Sequence, residues 1–322
     1  MEMRTLHNTA PAVSRACLGC MTFGSQTDEA GASAMVDCAM AAGINFFDTA
    51  DVYNAGCSES ILGKALGSRR SDVIVASKVG GLAAGAVANG RLTLKSITKA
   101  LEASLRRLQT DYLDIYYLHV PDDSVPLEET LEAMEQLVRQ GKVRYPAASN
   151  YASWQICRMQ WLAEKNGYVP VRVTQAMFSL LARGVEQEYL PMCRQLGVAA
   201  IAYNPLAGGL LTGKHPPQGP LPGTRFERNR GYAGRYWNAA NLEAVQQFAR
   251  IAEAAGRSLV GLALNWLLHH TPVACVVLGA SRLEQLRENL KAVAEGALPA
   301  DVVAACDQVC VQLRGTMPQY NR

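Results

Sequence analysis

The run Asn45-Phe46-Phe47-Asp48-Thr49-Ala50-Asp51-Val52-Tyr53 carries apolar residues straight into carboxylates and a tyrosine, as a buried strand does when it ends in a functional loop. Two later runs end the same way: Asp72-Val73-Ile74-Val75-Ala76-Ser77-Lys78 in a lysine, and Tyr112-Leu113-Asp114-Ile115-Tyr116-Tyr117-Leu118-His119 in a histidine. Asp48, Tyr53, Lys78 and His119 together make a proton-donating set. A phenol with an ordinary pKa of about 10 keeps its proton at neutral pH but gives it up slowly. A nearby ammonium stabilises the phenolate left behind, which assigns Lys78 to Tyr53. A buried lysine without a counterion tends to lose its proton, so Asp48 is expected beside it. His119, neutral, is expected to donate a hydrogen bond to a substrate oxygen. Side chains of these types move protons but supply no hydride.

An alternation of strands and helices must position these residues. Strand patterns at residues 16–20, 45–48, 72–78, 112–119, 143–148, 171–175, 198–203 and 274–278 are each followed by a helical pattern, at residues 27–42, 58–66, 94–108, 127–140, 152–165, 187–195, 242–255 and 282–293. Eight alternations with no composition break predict an α/β fold, a single-domain (β/α)8 TIM barrel over residues 1–322. Side chains just past the carboxyl ends of its strands share one mouth, so the four residues converge there. The helical patterns at 259–268 and 302–313 are left over as extra helices. Residues 205–238, rich in Gly and Pro after the seventh strand, are too long for a mere connector and are expected to form a lid or cofactor clamp.

Composition narrows the function classes. The 322 residues are 49% hydrophobic, enough for a large core, and the net charge of +3 is spread without a basic stripe or an acidic tail. Nucleic acid is not an expected partner. No apolar run approaches the ~18 residues of a membrane span, and no charged n-region precedes an apolar stretch, so a cytoplasmic protein is expected. Nine cysteines, an odd number, lie mostly in apolar segments (Cys38, Cys193, Cys275) and are expected to be buried free thiols.

With these strand ends in hand, the chain resembles the aldo-keto reductases over nearly its whole length. Asp48-x4-Tyr53, Lys78 and Leu118-His119 are similar to that family's four catalytic positions. The resemblance implies NADPH as cofactor and a small carbonyl compound as substrate. It assigns cofactor contacts to Ser149, Asn150, Gln175, Tyr203, Asn204, Pro205, Leu206, Gly208, Lys214, Arg225, Gly279, Ser281, Arg282, Gln285, Glu288 and Asn289. Substrate contacts are expected from Met21, Val87, Val120 and Trp237. The Leu211-Thr212-Gly213-Lys214 continuation is more similar to the bacterial and potassium-channel β-subunit branches, so the alternative is an NADP(H)-binding regulatory subunit with little turnover. His119 completes the catalytic set and favours the enzyme. The family usually has Gly-Val-Ser-Asn at the fifth strand end, whereas Pro146 lies in the run Tyr145-Pro146-Ala147-Ala148-Ser149-Asn150 here. Proline donates nothing to a ladder, so strand five is expected to end early.

Other patterns point elsewhere and fail. Gly208 to Lys214 nearly spells G-x4-G-K, but His215 stands where Ser or Thr would hold magnesium, and Pro216-Pro217 prevent a helix from opening. No G-x-G-x-x-G follows a strand, so the barrel itself must hold a dinucleotide. Cys17-x2-Cys20 sits on a strand and Cys306-x3-Cys310 on an amphipathic helix, as core thiols do; no metal is expected. A single strand-end histidine speaks against a metal-dependent hydrolase. His269-His270 closes an apolar helix and is expected to face its dipole. Ser281-x-x-Glu284 reads as a capping box opening the last barrel helix, a helix N-terminus that with Arg282 suits a 2′-phosphate.

Overall fold

The computed structural model describes residues 1–6, 12–82, 90–216 and 218–315. Eight parallel strands close into a barrel: β3 (Ala16–Gly19), β4 (Phe46–Asp48), β5 (Ile74–Val79), β6 (Leu113–Leu118), β7 (Val143–Ser149), β8 (Val173–Met177), β9 (Ala199–Tyr203) and β10 (Cys275–Gly279). The circle is completed by β10 pairing with β3, Val277 opposite Cys17. A (β/α)8 barrel is therefore the fold. Because side chains alternate along each strand, one set fills the barrel and the other meets the helices. Cys17, Phe46, Ala76, Ile115, Tyr117, Ala147, Val173, Ile201 and Cys275 pack the interior.

The first two strands are outside the alternation. A hairpin of β1 (Met3–Thr5) and β2 (Ala12–Ser14) pairs antiparallel, and its Leu6 and Val13 join the interior cluster, so it plugs the amino-terminal end of the barrel. Neither of these short strands has an apolar run like the one that ends in Asp48, so the hairpin gives no signal in the sequence.

The ring of helices comprises α1 (Glu29–Ala41), α2 (Cys57–Leu66), α3 (Leu94–Leu108), α4 (Leu127–Arg139), α5 (Ser153–Asn166) and α6 (Tyr189–Leu196), each within a few residues of its expected place. After β9 come two short helices, α7 (Arg225–Arg228) and α8 (Arg230–Tyr236), then α9 (Ala239–Ala254), α10 (Leu259–His270), α11 (Leu283–Val293) and α12 (Ala300–Arg314). Here one expectation is reversed. The helix packed on β10 and α11 is α10, expected as an extra, while α9 lies outside it against α12. The reason is in the residues: Leu262, Ala263, Leu264, Asn265, Trp266, Leu267 and Leu268 are consecutive and all buried, and a helix apolar on every side belongs in a core.

Two further expectations are corrected. Strand β7 does not stop at Pro146: it runs to Ser149, with Pro146 opposite Tyr116. Pairing of β7 with β8 begins only at Ala147, so the missing proline N–H falls where β7 has a partner on one side alone. His270 does not serve the helix dipole, for its Nε2 accepts from the Leu298 N–H at 3.0 Å and is thus unprotonated. All nine cysteines are free thiols, though Cys38, expected to be buried, is only half-buried, and Cys57 and Cys157 are exposed.

Gly63 shows how closely the helix after the Tyr53 loop is seated. A β-carbon there would lie 2.6 Å from the backbone C and O of Leu108 at the end of α3. Alanine in a helix normally gains about 1 kcal/mol over glycine. Gly63→Ala is expected to lose about 1–3 kcal/mol instead, from overpacking against backbone. Equilibrium denaturation checks the sign; a gain in stability would show that α2 and α3 can separate freely.

Candidate active site

All four proton-donating candidates meet at the carboxyl ends of β4, β5 and β6. Lys78, buried at 0% exposure, forms an ion pair with Asp48 and donates to the Thr49 carbonyl at 2.7 Å. Its Nζ lies 5.0 Å from the centre of the Tyr53 ring. The Tyr53 and His119 rings meet edge to face, 5.9 Å between centroids. Gln175 reaches over from β8 and donates through Nε2 to the other Asp48 oxygen at 2.8 Å. Both carboxylate oxygens of Asp48 are therefore occupied.

Electrostatics follow from burial. Desolvation alone would lower the Lys78 pKa, but Asp48, and after it Tyr53, outweigh it, and the pKa is raised. Lys78 stays charged. Burial pushes the Tyr53 phenol up and Lys78 pulls it back only in part, so the proton stays on oxygen through neutral pH. His119 is pushed down to about 3, first by burial and then by the cations Lys78 and Arg91, so the imidazole is neutral. Its Nδ1 is buried without a hydrogen-bond partner.

The loop carrying Tyr53 is held by side chains rather than by its own regular structure. Asn54 and Ala55 have left-handed backbone, φ 51° and 55°, a strained choice for alanine. Asn54 Nδ2 donates to the carbonyls of Met21 (2.9 Å) and Phe23 (2.7 Å), and Ser58 Oγ to that of Cys20 (2.7 Å). Glu59, absent from the sequence reading, is fully buried between Ser77 and Arg107. A glutamate on an amphipathic helix reads as a solvated face, and nothing local marks its tertiary partners.

The candidate cofactor residues lie along the same mouth from β7 round to β10. Asn150, with φ 63°, donates to the His119 carbonyl at 2.9 Å and to Ser149 Oγ at 3.1 Å, and accepts from the Tyr203 hydroxyl at 2.7 Å. Asn204, also left-handed, accepts from Tyr232 at 3.4 Å and leaves its Nδ2 buried with no partner. After Pro205 and Leu206 the chain turns through Gly208 and Gly209, φ 70° and 107°. A β-carbon at Gly208 would lie 2.8 Å from the Tyr232 ring, while Gly209 and Gly279 face open space. Lys214, Arg225 and Arg282 gather into a positive patch: burial lowers the Lys214 pKa, and Arg282 and Arg225 lower it further.

At α11 the expected capping box is replaced by another arrangement. Helix α11 starts at Leu283, and it is Gln285 Oε1, not Glu284, that accepts from Ser281 N (2.9 Å) and Oγ (3.1 Å). Arg282 is left exposed beside it, Glu288 is exposed, and the buried Asn289 donates to the Gly279 carbonyl at 3.3 Å. Met21 and Val120 are half-buried near the mouth; Trp237 packs against His215 and Phe226, 5.5 and 5.4 Å between ring centres. Val87 lies outside the described residues. Among those residues no group of three His, Cys, Asp or Glu side chains could hold a metal, and no helix is long and apolar enough to cross a membrane.

Known proteins are similar to this chain over most of its length. The chain is 37% identical to aflatoxin B1 aldehyde reductase member 2 of Rattus norvegicus, over 97% of this chain and 89% of that one. It is 38% identical to the uncharacterized oxidoreductase YrpG of Bacillus subtilis (strain 168), over 91% of both. It is 34% identical to a probable voltage-gated potassium channel subunit beta of Arabidopsis thaliana, over 100% of both. A model of the aldo/keto reductase family matches residues 15–310, nearly the whole barrel, and the chain belongs to that family.

Proposed function

We propose that the protein is an NADPH-dependent carbonyl reductase that converts an aldehyde or ketone to an alcohol, or runs the reverse. One observation carries the reading: a charged, fully buried Lys78, held by Asp48 and Thr49, stands beside a protonated Tyr53 and a neutral His119. Nicotinamide, when bound, supplies hydride, the one component that side chains lack. Tyr53 gives its proton to the substrate oxygen, and Lys78 stabilises the phenolate. His119, having an N–H to donate and no charge, orients that oxygen without competing for the proton. The buried Nδ2 of Asn204, the open backbone at Gly209 and the Lys214, Arg225 and Arg282 patch suit an anionic dinucleotide, and Ser149, Asn150 and Gln175 are the residues to meet its nicotinamide end.

The relative from Arabidopsis supports a second reading, a cofactor-binding subunit with little turnover. His119 beside Tyr53 favours the enzyme. Turnover separates the two: NADPH consumption across a panel of aldehydes and ketones is expected, and a protein that binds NADPH but reduces none of them would be the regulatory one.

Tyr53→Phe removes only the acid. It is expected to lower kcat by about 10² to 10⁴-fold and leave the NADPH dissociation constant nearly unchanged. A variant keeping more than about a tenth of the activity would assign the proton elsewhere.

His119 gives a pH signature. Its folded pKa of about 3 lies below the ordinary histidine value, so the unfolded chain binds a proton first as pH falls. Its contribution to stability is complete above about pH 6.5 and is lost as pH falls toward 3. Imidazole NMR is expected to show His119 still neutral at about pH 5, and His119→Gln to lose less stability than the wild type over that range. A titration midpoint near 6 would mean that burial and the neighbouring cations do not depress this ring.

The positive patch sets cofactor choice. Arg282→Ala is expected to weaken NADPH by about ten- to a hundredfold, roughly 1.5–3 kcal/mol, and to spare NADH. Fluorescence-quenching titrations with both cofactors test it; equal losses would place the 2′-phosphate away from Arg282.

A further inference from the structure

Behind the Tyr53 loop lies a buried charge cluster that proton donation does not use. Glu59, on the first turn of α2, accepts from Ser77 Oγ at 2.5 Å and from Arg107 Nε at 2.7 Å, with Arg107 Nη2 at 2.6 Å. Ser77 directly precedes Lys78 on β5. Arg107 comes from α3 and runs along the loop, where a β-carbon at Gly56 would lie 2.7 Å from its Cδ and Nε. Gly56 has φ 87°, so glycine there serves both the turn and the close approach. A second carboxyl, Asp51, shares the cluster: burial and then Glu59 push it up to about 6, while Arg107 and Lys78 pull it down. Its Oδ1 and the Tyr116 hydroxyl are buried without hydrogen-bond partners.

We propose that Glu59 is a positioning residue: by holding Ser77 and Arg107 at once, it fixes the Tyr53 loop against the Lys78 strand and so sets the approach of phenol to ammonium. The proposal rests on Tyr53 being the proton donor. Lys78 is fixed from its own side, two acceptors taking two of its three N–H groups. Tyr53 stands beside Lys78 with its own N–H on the Ala50 carbonyl at 3.1 Å, but the residues after it adopt left-handed backbone that the chain does not favour, so its place depends on what holds the loop. Asn54 ties the loop toward β3, and Glu59 is its tie toward β5 and α3. A displacement of about 1 Å at a reacting group can cost as much as a hundredfold in rate.

A buried Glu–Arg pair that served stability alone would also lower the melting point when broken, so stability does not discriminate. Geometry does. Glu59→Gln can keep both contacts, since its amide oxygen accepts from Arg107 and the Ser77 hydroxyl can turn to accept from its NH2. Glu59→Leu removes both contacts and strands Arg107. Ser77→Ala removes only the tie to β5 and serves where Glu59→Leu fails to fold.

Steady-state kinetics and ring-to-ring NMR, with labelled Tyr and His, read the result. Glu59→Gln is expected to retain most of the wild-type kcat. Ser77→Ala and Glu59→Leu are expected to lose roughly ten- to a hundredfold in kcat, with substrate KM and the NADPH dissociation constant within about threefold. The nuclear Overhauser contact between the Tyr53 and His119 rings is expected in the wild type and Glu59→Gln and weakened in the other two. Wild-type kcat and an intact ring contact in Ser77→Ala would overturn the proposal. So would a Glu59→Gln variant as slow as Glu59→Leu, which would make charge the operative property. If the wild type reduces no carbonyl at all, the ring contact still decides the positioning role, so failure of the reductase reading and failure of this one are told apart.

Discussion

An ammonium enclosed at the mouth of an apolar barrel is the condition that the rest of this molecule satisfies. Lys78 is fully buried, and transfer of such a charge from water is costly unless it is paired and hydrogen-bonded. Asp48 gives the countercharge, the Thr49 carbonyl a second acceptor, and Gln175 secures the far oxygen of Asp48 from the other side of the barrel. Removing either charge would leave the other uncompensated, a loss of about 3–5 kcal/mol in comparable buried pairs. Such an arrangement needs rigid supports, and the ends of neighbouring parallel strands provide them.

That dependence explains what could be read from the sequence. Strand ends are conspicuous because an apolar run changes abruptly into Asp48, Lys78 or His119, so the fold and the meeting of these residues at one mouth are legible in the sequence. The failures share a cause: each turns on a partner distant in the chain. Pro146 looks disruptive until the register shows that β7 pairs with β8 only from Ala147 onward. Helices α9 and α10 are similar in length, and only burial on all sides of α10 reveals which one faces the strands. Gln285 and Glu284 are adjacent and both able to accept at a helix start, and it is the glutamine that takes both Ser281 donors. Glu59 gave no local signal, since its meaning lies in Ser77 and Arg107.

Around the mouth, fixed and adaptable parts are divided. The β4, β5 and β6 ends hold Asp48, Lys78 and the Tyr53 loop through buried charges and hydrogen bonds. From β7 to β10 the backbone is more irregular, with left-handed asparagines at 150 and 204 and paired glycines at 208 and 209. Unsatisfied Asn204 Nδ2 and the gathered cations on that side are groups whose natural complement is a polar, anionic molecule. A rigid, charge-paired cluster thus sits beside a more irregular stretch of backbone.

The seam between β10 and β3 has a consequence for how the molecule is made. Thr22 Oγ1 bonds to the Ala280 carbonyl 258 residues away, and Ala16 to Gly19 pair with Val276 to Gly279, so the barrel cannot close until its last strand exists. On a ribosome that strand emerges late. Until then β3 and each newest strand present unpaired edges, and the interior face of Cys17, Phe46 and Ile115 has no opposite wall. Contacts so remote in sequence form slowly, because a long loop must close before they repay it. The nascent chain therefore passes through an open, sticky sheet during synthesis, and its yield in a cell depends on what shelters that sheet as much as on the stability of the finished barrel.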